Sequence, residues 1–401
     1  MEWKEVQLCD TCDLIAGYAF KSKDFGDYPS KVLKIADINP PFVSSENSSG
    51  VDLSKYDLSK LDKYIVKKGD YLLAMTGATI GKLGRYISEE QAYLNQRVLK
   101  FNPHKSIDPD FLYYVLCGRV FPKYVMNHID SESAQPNISA GTIGKFVFQL
   151  PDIETQRRIA SILSSLDDKI AINRRICENL EAQAQALFKH WFIDFAPFKN
   201  GKFVESELGM IPEGWRVGTL GEIAEIIKPS IKPQNDVEYS HYSIPAFDNK
   251  KMPSCDNGGT IKSNKFMIQD SVTLLSKLNP DHKRIWFVNK VKANAICSTE
   301  FIPFYAKERR HSAFIYCYLN SWQNYREIAN GAKGTTNSHQ RIDANAILSR
   351  KIAYDKETIN KFCDLVGELL EQENIAIQES SRLSALRDTL LPKLMSGEIK
   401  V

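Results

Sequence analysis

Two long stretches of the chain repeat apolar residues at a heptad spacing. In residues 154–192, two rows of residues spaced by seven alternate at intervals of four and three, which is the a/d pattern of a coiled-coil seam. No proline or glycine lies between Pro151 and Pro197. The pattern therefore predicts one helix of about 55–60 Å. Its rows are Ile159, Leu166, Asn173, Leu180 and Leu187, and Leu163, Ile170, Cys177, Ala184 and Trp191.

Residues 357–395 form the second stretch and are the predicted partner of the first. Its second row contains Glu373, Ser380 and Arg387, so the pattern predicts a helix but leaves the register of the pair open. Pro392 breaks the pattern, and Gly397 can end the helix. The residues predicted to form the seam are Leu163, Leu166, Ile170, Asn173, Leu180 and Leu187 on the first helix, and Phe362, Leu369, Leu383 and Leu390 on the second.

The two halves of the chain carry the same features in the same order. The opening at 3–8 (WKEVQL) returns at 215–220 (WRVGTL), 212 residues later, and the Glu-Thr pair at 154–155 returns at 357–358, 203 residues later. Short segments rich in β-branched and aromatic residues follow each opening. The predicted strands are 71–75, 97–101, 145–150, 271–275 and 284–288, and the predicted short helices are 109–116 and 311–329.

This order predicts an α+β protein made by internal duplication. Each half consists of a globular domain followed by a long helix. The predicted boundaries are domain 1 at 1–150, helix 1 at 151–195, a linker with domain 2 at 196–355, and helix 2 at 356–401.

Composition narrows the class of protein. The chain has 401 residues, of which 43% are hydrophobic and 25% charged, which is typical of folded domains rather than disordered or disulfide-rich chains. Its net charge of +3 argues against a basic arm that binds DNA by bulk charge. Apolar runs are shorter than a membrane helix requires, and the scattered cysteines fit a cytoplasmic protein with reduced thiols.

The chemistry-bearing motifs do not assemble into a catalytic or metal site. Asn39-Pro40-Pro41-Phe42 matches the motif with which amino-methyltransferases hold an adenine, but the chain has no Gly-x-Gly turn for S-adenosylmethionine. Asp152 followed by Asp167-Asp168-Lys169 formally matches the motif of metal-dependent nucleases. Those nucleases place the acid and the lysine on adjacent strands, whereas residues 167–169 here belong to a helical pattern. The seven histidines are isolated. A standalone adenine DNA methyltransferase that uses residues 39–42 is retained as an alternative, as is a scaffold that binds only protein.

Polar, glycine-flanked loops in both halves indicate DNA binding instead, although ordinary solvated turns have the same composition. Arg and Lys pair with guanine edges, Asn and Gln with adenine, and hydroxyl groups with phosphates. Residues 277–310 hold eight Lys/Arg against three Asp/Glu, a local basic excess. The candidate DNA-binding residues are Thr76, Thr79, Lys82, Arg85, Gln135, Asn137 and Ser139 in the first half, and Lys277, Asn279, Lys283, Arg284, Lys333, Thr335, Thr336, Asn337, Ser338, His339 and Arg341 in the second.

The order of parts resembles the specificity subunit of type I restriction-modification systems. The resemblance is carried by residues 154–170 (ETQRRIASILSSLDDKI), 211–215 (IPEGW) and 390–398 (LLPKLMSGE). The second helix departs from it at Asn360-Lys361-Phe362, where the first has Gln156-Arg157-Arg158.

The resemblance implies a non-catalytic subunit that reads double-stranded DNA. Each domain would be a target recognition domain for one half of a bipartite site, and the helices would form an antiparallel coiled-coil spacer. Two modification subunits would dock on the helices and bind S-adenosylmethionine, and restriction subunits would cleave. The resemblance implies no cofactor on this chain.

Overall fold

The chain folds into two units. The computed structural model describes residues 3–130, 136–249, 251–332 and 340–401. Unit 1 comprises Met1–Ala171 and Ser381–Val401, and unit 2 comprises Ile172–Ser380. Each unit therefore contains one globular part and one portion of each long helix.

The two long helices and the short helix at 109–117 lie where the sequence predicts them, and several shorter helices were not predicted. Those described before residue 200 are α1 (Leu58–Leu61), α2 (Pro109–Cys117), α3 (Val120–Asn127), α4 (Ala140–Gly144) and α5 (Ile153–Phe188), the last continued by a π-helical turn, Lys189–Ile193. Those after it are α6 (Leu220–Ile223), α7 (Ile244–Asp248), α8 (Ser312–Asn320), α9 (Trp322–Asn330), α10 (Ala344–Leu348) and α11 (Lys356–Met395).

The described strands of unit 1 form three sheets, ordered β1-β12, β6-β3-β10-β7 and β2-β11-β8-β9-β5-β4. These strands are β1 (Lys4–Gln7), β2 (Cys12–Ala16), β3 (Phe25–Leu33), β4 (Ile38–Asn39), β5 (Phe42–Val43), β6 (Gly50–Val51), β7 (Ile65–Val66), β8 (Tyr71–Ala74), β9 (Leu83–Tyr86), β10 (Ala92–Leu94), β11 (Val98–Pro103) and β12 (Val147–Leu150).

The described strands of unit 2 form four sheets, ordered β13-β14, β15-β25, β16-β24-β21-β22 and β17-β20-β23-β18-β19. These strands are β13 (Phe203–Ser206), β14 (Gly209–Pro212), β15 (Arg216–Thr219), β16 (Ala224–Ile226), β17 (Ser230–Ile231), β18 (Glu238–Tyr242), β19 (Ser254–Asn257), β20 (Lys265–Met267), β21 (Val272–Ser276), β22 (Ile285–Val288), β23 (Ala295–Ser298), β24 (Phe301–Ala306) and β25 (Lys351–Tyr354).

Sheet topology repeats between the units. The run β2-β11-β8-β9 of unit 1 corresponds to β16-β24-β21-β22 of unit 2, and both runs are antiparallel throughout. The parallel pair β3–β10 corresponds to the parallel pair β18–β23. The pair β1–β12, which closes the first globular part, corresponds to β15–β25. The duplication predicted from the order of sequence features therefore holds at the level of strand pairing.

A fully buried strand lies at the centre of each unit, and its two faces serve two cores. In β8, Leu73 packs in the cluster that includes α2, whereas Leu72 packs against the β3–β10 sheet. In β21, Leu275 and Leu274 divide in the same way. Alternate residues of a strand point to opposite faces, so both faces of these strands are covered, and every residue of β8 and β21 is buried.

Two of the predicted helices also differ in detail from the sequence prediction. The stretch 311–329 is two helices, because Ser321 is extended (φ −64°, ψ 140°) and its hydroxyl caps α9 at Asn324 N. The second long helix also continues through Pro392 to Met395. It is followed by Gly397, whose φ of +72° suits glycine at the end of a helix.

The long helices pair in antiparallel fashion within each unit. In unit 2, Asn173 lies opposite Glu379 and Cys177 lies opposite Glu373. In unit 1, Asp167 lies opposite Arg387. Every residue predicted for the seam is buried or half-buried in the structure, with Leu163, Asn173 and Phe362 at or below 1% exposure.

The described part of the chain offers no helix long and apolar enough to cross a membrane. All eight cysteines are free thiols.

Candidate nucleic-acid interface

Two of the polar loops predicted in the first half come together beside the end of β8. The hydroxyl of Thr76 donates to the carbonyl of Pro136 at 2.8 Å, and the amide of Gly77 donates to the same oxygen at 3.1 Å. Thr76 and Asn137 form an isolated β-bridge. Gly77 and Gly81 have φ values of +71° and +80°, so the turn after β8 uses backbone conformations that glycine adopts freely.

The corresponding loops of the second half come together in the same way, beside the end of β21. The amide of Ile342 donates to the carbonyl of Lys277 at 3.0 Å, and the amide of Asn279 donates to Gln340 at 3.4 Å. Leu278 and Arg341 form the isolated bridge at this point. Because β8 and β21 are equivalent strands, the duplication places the predicted loops at equivalent strand ends in the two sheets.

The first loop pair presents three cationic side chains to solvent. Lys82 is exposed on the turn. Arg85 is also exposed, 4.0 Å from the carboxylate of Asp110. Arg97 donates to the side-chain oxygen of Asn137 at 3.3 Å and joins the group, although the sequence prediction did not include it. The polar run Asn95-Gln96-Arg97 before β11 was the available signal.

Two of the predicted hydroxyl groups of unit 1 have structural partners, and a third is buried. Thr76 is 5% exposed, and its hydroxyl is used within the loop pair. The Ser139 hydroxyl caps α4 by accepting from the amide of Thr142 at 3.0 Å. The hydroxyl oxygen of Thr79 is buried and has no hydrogen-bond partner among the described residues. The predicted hydroxyl groups of unit 1 therefore hold the loops in place or are buried. The exposed cations Lys82, Arg85 and Arg97 remain the candidates for contact with a ligand.

In unit 2, ion pairs engage two of the predicted arginines. Arg284 forms a two-pronged ion pair with Asp248, at 2.8 and 2.9 Å, and this pairing raises the pKa of the guanidinium. Arg341 lies 3.4 Å from Glu300. A DNA phosphate or base edge would have to compete with these carboxylates, so each arginine is a weaker candidate than composition alone suggested.

Lys283 and Asn279 are placed differently from those arginines. The Lys283 ammonium donates to the carbonyl of Asn320, and it lies 5.5 Å from the centroid of the Tyr325 ring. Asn279 has a left-handed backbone (φ +51°), and its side-chain oxygen is buried without a partner among the described residues.

Seven predicted residues lie outside the described part of the chain: Gln135, Lys333, Thr335, Thr336, Asn337, Ser338 and His339. Their role in DNA binding stays a prediction.

The motifs that imitate catalytic sites have structural roles. Asn39 and Phe42 pair across the short hairpin of β4 and β5. Asp152 caps α5 through the amide of Thr155, at 3.0 Å. Asp167 accepts from Arg387 at 2.6 Å and from the Tyr114 hydroxyl at 2.8 Å. Across the described ranges, His, Cys, Asp and Glu side chains form no group of three or more that could hold a metal ion.

The helix pair of unit 2 contains a polar section that the heptad pattern only partly indicated. Burial raises the pKa of Glu373 to about 7, and the charge of Glu181 adds to the shift. The carboxylate of Glu181 accepts a hydrogen bond from the hydroxyl of Tyr316 and another, at 2.5 Å, from the side-chain amide of Asn320. Two carboxylates therefore lie where the helices meet α8.

Comparison with known proteins adds independent evidence. The family profile described as type I restriction modification DNA specificity domain matches residues 1–182. The MjaIX type I restriction enzyme specificity subunit of Methanocaldococcus jannaschii is 30% identical over 352 residues, covering 84% of this chain and 79% of the relative. The HindI specificity subunit of Haemophilus influenzae is 24% identical, covering 99% of this chain and 100% of that one.

A solved structure shares the fold. The S subunit of a type I restriction-modification system from M. genitalium aligns over 98% of this chain and 96% of its own, with a TM-score of 0.59 at 14% identity.

Proposed function

Since this chain belongs to the family of type I restriction-modification specificity subunits, we propose that its two units read the two halves of a bipartite target in double-stranded DNA. The observation that supports this most strongly is the equivalence of the two loop pairs. Each unit carries one polar loop pair at the end of its central buried strand, bridged at Thr76–Asn137 in unit 1 and at Leu278–Arg341 in unit 2.

The two loop pairs differ in their side chains, which is what two different half-sites would require. Unit 1 presents Lys82, Arg85 and Arg97, whereas unit 2 presents Lys283 together with arginines held by carboxylates. Direct readout depends on the donors and acceptors that reach base edges. Loop pairs on equivalent strands but with different side chains thus suit a single chain that recognises two different half-sites.

The long helices are the proposed spacer between the half-sites. A helix pair has a defined length, whereas a Gly/Ser linker would leave the spacing undefined. The polar cross-helix contacts support this role because they favour one register of the pair, Asp167 with Arg387 in unit 1 and Asn173 with Glu379 in unit 2.

Methyl transfer and cleavage are assigned to partner subunits. In this proposal two modification subunits dock on the helices and bind S-adenosylmethionine, and restriction subunits cleave DNA. The names of the relatives describe specificity subunits, and the hairpin role of Asn39 and Phe42 gives the methyltransferase alternative no support.

Selection of duplexes from a random library tests the proposal. The chain, assembled with its modification partner, should retain duplexes that share two fixed blocks separated by a fixed gap. Lys82→Gln should alter selection of one block and Arg341→Gln the other, whereas Lys60→Gln and Lys262→Gln, at exposed positions outside the loop pairs, should alter neither. Retention without any shared sequence would refute the proposal.

A further inference from the structure

An exposed tryptophan lies at the start of α9 in unit 2. Trp322 is 69% exposed, whereas Trp215 and Trp286 are 8% and 5% exposed. An indole is the largest apolar side chain, and a structural role normally buries it. Trp322 contributes little to the core, and its exposed indole is therefore available for contact with a partner.

One face of this indole is covered by a cation. The guanidinium of Arg326, one turn later on α9, lies 5.1 Å from the centroid of the Trp322 ring. Arg326 is exposed and forms no ion pair with a carboxylate in the described ranges. The pair holds the indole in place and leaves its other face open to solvent, with an unneutralised positive charge beside it.

A second cation, Lys283, lies at the same end of the helix. Lys283 donates to the carbonyl of Asn320, two residues before Trp322, and its ammonium lies over the ring of Tyr325. Tyr325 in turn donates from its hydroxyl to the carbonyl of Pro280 at 2.8 Å. This hydrogen bond fixes α9 to the loop of residues 277–284, so Trp322 and Arg326 are continuous with the predicted DNA-binding loop of unit 2.

We propose that Trp322, Arg326 and Lys283 form a DNA-contacting patch of unit 2, in which the cations bind phosphates and the open face of the indole packs on sugar or base. The inference rests on the proposed function and adds two residues that sequence composition did not select. A polyanion is the partner that best matches two exposed cations around an aromatic ring. The corresponding helix of unit 1, α3, begins with an exposed valine, Val120, so the patch acts on the second half-site alone.

Tryptophan quenching by acrylamide tests this patch directly. The signal of Trp322 is obtained as the difference between wild type and Trp322→Phe, for the full chain assembled with its modification partner. We expect a 40-bp duplex to shield Trp322 from acrylamide. Shielding that is already complete in the complex without DNA would overturn the proposal in favour of a protein interface, and an indole that stays accessible with saturating duplex would overturn it outright.

Binding measurements give a second, independent readout. Trp322→Ala should weaken duplex binding by about five- to tenfold, and Arg326→Gln should lower the salt slope of binding by about one counterion. Lys262→Gln, an exposed cation elsewhere in unit 2, is the matched control and should change neither quantity. If the wild-type complex selects a bipartite sequence while both patch variants behave like the control, this inference fails and the proposed function stands. If the wild type selects no sequence, the proposed function itself fails.

Discussion

The side-chain amide of Asn173 donates a 2.7 Å hydrogen bond to the carboxylate of Glu379 across the helix seam of unit 2. Asn173 is 1% exposed, so this polar contact is buried among apolar neighbours. A buried polar residue in a coiled-coil seam selects one register at a cost in stability. We therefore expect the Asn173–Glu379 contact to determine the register of the helix pair.

Replacing Asn173 with leucine should raise thermal stability but loosen the register. We expect Tm to rise by a few degrees, because an apolar seam residue replaces the desolvated side chain of Asn173, while its partner Glu379 is only half-buried. Register is measured by oxidative cross-linking of Cys177 to a cysteine placed by Glu373→Cys, since these positions lie opposite each other. The yield should fall in Asn173→Leu. Glu379→Gln, which keeps an acceptor for the Asn173 amide, is the control and should keep the yield. An undiminished cross-linking yield in Asn173→Leu would show that the Asn173–Glu379 contact does not determine the register.

Glu373 should make the stability of unit 2 depend on pH. Burial, with the nearby charge of Glu181, raises its pKa from 4.5 to about 7, while the positive charge of Lys251 opposes the shift. Between these two pH values the folded chain binds more protons than the unfolded chain, so the contribution of Glu373 to stability falls as pH rises from 4.5 to 7 and is flat above that range.

Thermal unfolding of Glu373→Gln against wild type measures this effect. At pH 8 the variant should have a Tm higher by about 2–4 °C, and the difference should shrink toward pH 5. Glu368→Gln, an exposed carboxylate on the same helix, is the control and should show no such trend. A difference that stays constant from pH 5 to 8 would mean that Glu373 titrates normally.

Lengthening both long helices by one heptad should widen the gap between the half-sites. Seven residues inserted within 170–180 of α5, matched by seven within 372–382 of α11, keep the seam in phase and lengthen the pair by about 10 Å. This length corresponds to about three base pairs at about 3.4 Å per pair, so the selected gap should grow by about three. Four residues inserted in α5 alone shift the heptad phase, and that variant should lose assembly or selection. An unchanged gap in the seven-residue variant would show that the helices do not set the spacing.

The sequence predicted the parts of the fold that local spacing controls. The heptad rows predicted the ends of both long helices to within a few residues. This was possible because the heptad repeat reflects only the spacing of residues on neighbouring helical turns. Strands such as 71–75 and 271–275 were recognisable as short segments rich in β-branched, aromatic and other apolar residues, and in the structure β8 and β21 are buried along their whole length. The parallel pairs β3–β10 and β18–β23 join segments distant in sequence, and no local pattern encodes such a pairing.

The candidate interface was predictable as loops more than as individual side chains. Loop composition pointed to the segments that the structure brings together, because turns rich in glycine and polar residues are visible locally. Composition could not show that Asp248 engages Arg284, since the two residues meet only through the fold. For the same reason Arg97 and Trp322 were missed, as their proximity to the loops depends on sheet pairing and on the hydrogen bond from Tyr325 to Pro280.

Mapping of methylated bases in host DNA, with and without this chain, tests the central claim most directly. The account predicts that one motif, with two specific blocks and a gap of fixed length, loses methylation when the chain is deleted and regains it when the chain is restored. Restoration with Arg341→Gln should change methylation through the second block only. An unchanged methylation pattern after deletion, or loss of a single continuous motif, would contradict the account.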